Sequence, residues 1–221
     1  FYAPADARAI LERIWGNPPS SGEDIIGLVL PAGASPLSDA WGAVVSYENS
    51  GYVSDEDAAS TDYNDLLKDL KEGTQQANEE RFKQGYASID LRGWAESPVY
   101  NKGAHSVIWA TDLKFADAST DSLNYDMRSL GRNGVLSVNF LAGMEQLPQI
   151  KTAAQAFSSH VSFDNGFRYQ DFDPSADKKA EYGIGGLIAA GVGVAVVKKL
   201  GIFAILLKFI KPILIAVAAA F

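Results

Sequence analysis

The spacing of apolar side chains divides the chain into stretches of helical and extended character. Near the start, Ala7, Ile10, Leu11 and Ile14 recur at three- and four-residue intervals, which predicts a short helix opened by Pro4 and closed by Gly16 and the Pro18–Pro19 pair. Two extended stretches follow, "DIIGLVLPAG" and "AWGAVVSYENSGYVSD", rich in β-branched and aromatic residues and bounded by turn formers. Helical periodicity returns over residues 62–85, with Asp62 as N-cap, Leu66, Leu67 and Leu70 as an apolar stripe, and Gly85 at the C-terminal end. Residues 86–142 alternate as four strands, with Val107, Trp109, Thr111 and Leu113 on one side of the second and Leu123, Tyr125 and Met127 on one side of the third. Asn133–Gly134 marks a tight turn before the fourth. A helix with Ile150, Ala154 and Phe157 inward then leads into a polar connection. The expected fold class is α+β: a largely antiparallel meander with helices against one face.

The last 40 residues break with this pattern. From Tyr182 to the end no acidic side chain occurs, and Gly, Ala and β-branched residues dominate. Residues 1–181 carry 15 basic against 27 acidic residues, a net charge of −12, whereas Lys198, Lys199, Lys208 and Lys211 give the remainder +4. The expected organisation is therefore a soluble domain over 1–163, a linker over 164–181 and a membrane segment over 182–221. An uncharged run over 183–197 predicts a first span of only ~22 Å, which Tyr182 and the snorkelling stems of Lys198 and Lys199 extend towards both interfaces. Gly185, Ala189 and Gly193 recur every four residues, with Gly186 and Ala190 beside them, a spacing that lets membrane helices approach closely. The second segment, 201–221, puts Lys208 and Lys211 on one helical face just before Pro212. Three arrangements fit it: an interfacial or re-entrant helix, a second span, or a pore lined by the lysines of several copies. The bilayer is thus the first expected partner, with a homo-oligomer and other envelope proteins next. So acidic a domain argues against nucleic acid. With no cysteine, disulfides and thiolate chemistry are excluded.

Candidate chemistry is sparse. Asn124, Asp126 and Arg128 point to one side of their strand, with Arg132 close behind. They form either a solvated sheet face or, as an Asp–Arg pair with a second arginine, a ligand or subunit contact surface. Trp94, Glu96, Tyr100 and His105 flank a strand turn and constitute either ordinary strand-end packing or a binding rim with one titratable imidazole. Glu79, Glu80, Arg81 and Lys83 read as a charged helix face, and His160 as a helix C-terminal contact. Neither histidine has carboxylates at ligand spacing, so no metal or other cofactor is expected. "GIGG" at residues 183–186 lacks the strand that a dinucleotide loop requires.

The stretches "LKEGTQQANEERFKQGY", "LRGWAESPVYN" with "HSVIWA", and "LNYDMRSLGRNGVLSVNFLAG", together with "ADARAILERIWGNPP" and the lysine-spaced tail, resemble the bacterial membrane-anchored proteins catalogued as domain of unknown function 2167. The resemblance implies an export signal upstream, a domain on the periplasmic side of the inner membrane and a C-terminal anchor. It implies no activity and supplies no catalytic residues. The sequence therefore leads to a non-enzymatic, self-associating envelope module. The alternatives are an envelope enzyme or ligand sensor on the polar sheet face and, more remotely, an oligomeric membrane-remodelling or pore-forming protein.

Overall fold

The computed structural model describes residues 1–17 and 25–192. Its centre is a six-stranded antiparallel sheet in the order β1-β2-β7-β6-β5-β4. The meander is built from β4 (Ile89–Asn101), β5 (Ser106–Phe115), β6 (Ser122–Leu130) and β7 (Val135–Gly143). Beyond β7 the sheet is extended by β2 (Gly42–Glu48), and β1 (Ile25–Val29) forms the far edge. Residues 131–134 turn between β6 and β7, with the Gly131 N–H donating to the Gly134 carbonyl at 2.9 Å. Gly134 has to be glycine because a Cβ there would run into the Glu48 carbonyl of β2.

Helices cover both faces, where one covered face was expected. On one face, α3 (Leu147–His160) inserts Ile150 and Ala154 among Leu123, Tyr125, Met127, Val138 and Phe140. On the other, α2 (Tyr63–Lys83) brings Leu70 onto Leu91, Trp109 and Leu113. There α1 (Pro4–Ala9) packs over β1 and β2 near Val44 and Leu141. The reason is that β5 is apolar on both sides, with Trp109 towards α2 and Ala110 towards α3. As anticipated, Asp62 caps α2, accepting from the N–H groups of Asn64 at 2.8 Å and Asp65 at 3.2 Å. The first helix departs from its expected stripe. After α1 the chain widens into a π-helical turn, Ile10–Ile14, which rotates Ile14 to 40% exposure and brings Trp15 into the core instead.

The expected linker is part of the fold. Tyr169 is buried, and β8 (Lys179–Gly183) pairs in parallel with β3 (Tyr52–Ser54). From β8 the chain passes directly into α4 (Ile184–Val192), whose Ile184, Leu187, Ile188, Ala189 and Val192 join the Trp109 cluster. The beginning of the apolar tail is thus a core element of the domain. Among the described residues no helix is long and apolar enough to cross a membrane. The second apolar segment, and the first beyond Val192, lie outside the described residues, as do Gly193, Lys198, Lys199, Lys208 and Lys211.

Candidate functional site

Strand register assembles a band of polar side chains on the α4-bearing face of the sheet. Across the centre, Val44, Asn139, Asp126 and Trp109 are paired in one row, flanked by Leu141–Asn124–Thr111 and by Ser46–Ser137–Arg128–Val107. The polar members are buried: Thr111 and Asp126 are 0% exposed, Asn124 2%, Ser137 3% and Asn139 6%. The sequence-level choice between a solvated face and a functional surface therefore has a third outcome, an interior polar band. Arg128 donates from Nη2 to Asp126 Oδ1 at 2.9 Å, and its guanidinium carbon lies 5.5 Å from the centre of the Trp109 ring. Among the described residues, Thr111 Oγ1, Trp109 Nε1, Arg128 Nε and both amide atoms of Asn139 find no hydrogen-bond partner. Each such buried group costs about 1–3 kcal/mol when left unsatisfied.

Arg132 does not belong to this band. It lies in the β6–β7 turn, where its Nε and Nη2 hold Asp177 at 2.6 and 3.0 Å and Nη1 donates to the Gly166 carbonyl at 3.1 Å. The bidentate pair holds the Asp177 carboxyl below its ordinary range and raises the guanidinium. Its work is to fasten the segment leading to β8 onto the turn.

The four rim residues separate into three places. A β-bulge between Trp94 and Glu96 sends two side chains that alternation would place together to opposite faces. Trp94 Nε1 donates to the Tyr63 carbonyl of α2 at 3.1 Å, while Glu96 meets Lys151 of α3 at 3.0 Å. Burial, reinforced by Glu96, pushes the Tyr125 hydroxyl up to about 12. Tyr100 and His105 do come together. The Tyr100 hydroxyl donates to Asp55 Oδ2 at 2.8 Å and lies 3.4 Å from His105 Nδ1. Its pKa is raised by burial and then by Asp55. His105, at φ 45°, stacks on Tyr169 with ring centres 4.3 Å apart, and Tyr169 stacks in turn on Tyr52. This cluster clamps the 169–183 segment against β3. Among the described residues no group of three or more His, Asp or Glu side chains is placed to hold a metal ion.

The small residues expected to pack helices in a membrane meet the domain itself wherever they are described. A Cβ at Gly185 would touch Thr61 at 3.4 Å, one at Gly186 would meet the Tyr182 side chain at 2.6 Å, and Ala189 is buried, with Ala190 half-buried beside it. Gly191, which the sequence reading passed over, lies closest: a Cβ there would strike the Trp109 ring and stand 3.1 Å from Arg128 Nη2. The α4 N-terminus is capped from a distant loop, with Asp57 accepting from the N–H groups of Ile184 at 2.8 Å and Gly185 at 3.0 Å.

Every one of these features falls within a single family match, which spans residues 1–221. The chain belongs to the family described as Protein of unknown function (DUF2167). No curated protein matches it. For this DUF2167 chain, sequence reasoning found Asn124, Asp126 and Arg128 and missed Thr111, Ser137, Asn139, Asp55 and Asp57. Ser137 and Asn139 carried a usable signal: they are polar residues at alternate positions in an otherwise apolar strand.

Proposed function

We propose that this protein is a membrane-associated, non-enzymatic envelope module, exported to the periplasmic face of the inner membrane. Its α+β domain scaffolds other proteins or further copies of itself, and its apolar, basic C-terminal segment meets the bilayer. The observation that carries this reading is the way the tail leaves the domain. β8 and α4 are built into the fold, and Asp57 caps α4, so the chain enters residues 193–221 straight from a packed element. A tail rooted in this way transmits its position to the domain. An anchor on a flexible linker does not. The candidate side chains support binding rather than turnover, because they are engaged structurally: Asp126 with Arg128, Arg132 with Asp177, Glu96 with Lys151 and Tyr100 with Asp55.

Flotation on a density gradient with vesicles containing phosphatidylglycerol, followed by native mass spectrometry of the nanodisc-embedded protein, tests the proposal. The protein is expected to float, less so with purely zwitterionic lipid, and to give a discrete oligomer. Protein that stays at the bottom of the gradient with both lipids refutes membrane association. A nanodisc population of monomers alone refutes self-association.

A further inference from the structure

A groove at the free edge of the sheet points to a ligand that neither the family nor the proposed anchoring role describes. We propose that it binds short peptides with free termini, two or three residues long and in extended form.

The site lies apart from the buried polar band. β4 ends the sheet, and between it and α2 a groove of about 330 Å3 remains open. One wall is made by Lys71, Thr74 and Gln75 of α2, on the helical face beside the buried Leu70. The other is made by residues 89–92 of β4. Hydrogen bonds tie the walls together on either side. Asn78 of α2 donates to the Ile89 carbonyl and accepts from the Ile89 N–H, both at 2.8 Å, while Trp94 Nε1 donates to the Tyr63 carbonyl at 3.1 Å. A volume at the low end of the range for ligand pockets suits a molecule of a few residues.

The Asn78 contacts also settle which backbone groups face the groove. Both polar groups of Ile89 point away from β5, and residues 89–91 pair with 113–115 without a break. Alternation therefore turns the N–H and C=O of Leu91 outward as well. An extended peptide laid along this edge pairs its own backbone with those two groups. Edge pairing goes no further, because three bulges interrupt the register past Leu91 and Pro98 has no N–H to offer. The edge thus suits a short ligand and not the strand of a partner protein. Three extended residues at ~3.3 Å each cover the stretch from Ile89 to Arg92.

The charges fit free termini. Lys71 from α2 and Arg92 from β4 supply donors for a terminal carboxylate. Among the described residues Lys71 enters no salt bridge, and the Arg92 Nε lies 3.4 Å from Asp90, with both side chains more than half exposed. So loose a surface pair is readily re-partnered. Asp90, on the same wall, then accepts from the ligand's ammonium group. Thr74 and Gln75 add a hydroxyl and an amide for the peptide backbone, and Ile89 and Leu91 supply apolar contact.

Calorimetric titration of the full-length chain with trialanine at neutral pH tests the proposal. One peptide per chain is expected, with a Kd of about 0.3 mM, the affinity usual for a ligand of this size. N-acetyl-trialanine amide keeps the backbone but loses both charges, and should bind about tenfold or more weakly. Lys71→Gln/Arg92→Gln, at half-buried and exposed positions, should weaken trialanine by about the same factor. Asp90→Asn should weaken trialanine about threefold yet strengthen N-acetyl-trialanine, whose lone carboxylate no longer meets a like charge. Amide hydrogen exchange should slow at residues 89–92 when trialanine is bound. No heat and no change in exchange at about 10 mM trialanine, ~thirty times the expected Kd, overturns the proposal. Binding that survives the double substitution unchanged puts the peptide elsewhere and overturns the site. Equal affinity for the free and the blocked peptide overturns the recognition of termini. None of these outcomes depends on flotation with vesicles, so this site and the membrane association stand or fall separately.

Discussion

Removing the Asp57 carboxylate tests whether the root of the tail is an integral part of the domain. The two carboxylate oxygens accept from the first two N–H groups of α4, at 2.8 and 3.0 Å, and no other described side chain satisfies those donors. Asp57→Ala therefore leaves two helix-terminal donors without partners and removes a negative charge from the positive end of the helix dipole. Loss of an N-cap costs about 0.5–2 kcal/mol, and loss of the charge about 0.3–1 kcal/mol. The contributions overlap, so the expected loss is about 1.5–2 kcal/mol. In a protein of this size each 1 kcal/mol moves Tm by about 2–4 °C, so the variant should melt about 3–8 °C lower. Asp57→Asn keeps one acceptor and should fall between wild type and the alanine variant. Amide hydrogen exchange locates the effect: residues 184–192 should exchange about ten- to thirtyfold faster, since each 1.4 kcal/mol is a factor of ten. An unchanged Tm together with unchanged exchange in α4 would refute the reasoning, because the cap would then contribute nothing to holding the tail's root.

The Asp126–Arg128 pair gives a second test. Asp126→Leu alone should destabilise by about 3–5 kcal/mol, because it strands a mostly buried guanidinium, whereas Asp126→Leu/Arg128→Leu should be much closer to wild type; urea denaturation of both reads the difference. Gly191→Leu should cost about 1–3 kcal/mol by forcing Trp109 or Arg128 to move, while Ala190→Leu, one residue away and half-buried, should be tolerated; thermal melts compare them. The Asp177 carboxyl, depressed by Arg132, stabilises the folded state while it is ionised, and that contribution is lost as pH falls below about 4 through its folded pKa. The Tm deficit of Asp177→Asn should accordingly be present at neutral pH and vanish in strong acid, as melting curves across that range will show.

Local signals recovered much of this fold. The cap at Asp62, the stripe through Leu70 and the strict alternation of β5 and β6 each depend on residues a few positions apart, and each appears in the structure close to where the pattern puts it. What was illegible depends on distant partners or on small irregularities. Nothing in β2 says that it will pair with β7, about ninety residues later, and without that pairing Val44 and Ser46 cannot be placed beside Asn139 and Ser137. One bulge in β4 reverses the face on which Glu96 emerges and so dissolves the expected rim. The π-helical turn does the same to Ile14. Burial of the polar band was hidden for another reason: alternation distinguishes the two sides of a strand, but not whether the polar side faces water.

The tail shows why composition and structure draw the domain boundary in different places. By charge and hydropathy the chain changes character at Tyr182, whereas the folded domain continues through Val192. Small residues at four-residue spacing encode close approach of backbones, and that requirement is the same against a membrane helix as against a sheet. Gly185 beside Thr61 and the buried Ala189 satisfy it inside the domain, and Gly191, outside that spacing, does the same beneath Trp109. This has a consequence for insertion. While α4 stays on the sheet, the uncharged run before Lys198 shrinks to residues 193–197, far below the ~20 that a span requires. A span over 183–197 therefore demands that Ile184, Leu187 and Ile188 leave Trp109, breaking the Asp57 cap and opening the core. With α4 in place, the proposed contact with the bilayer falls to the lysine-bearing segment 201–221. On the proposed membrane association, its lysines favour a shallow, interfacial seat over a full crossing.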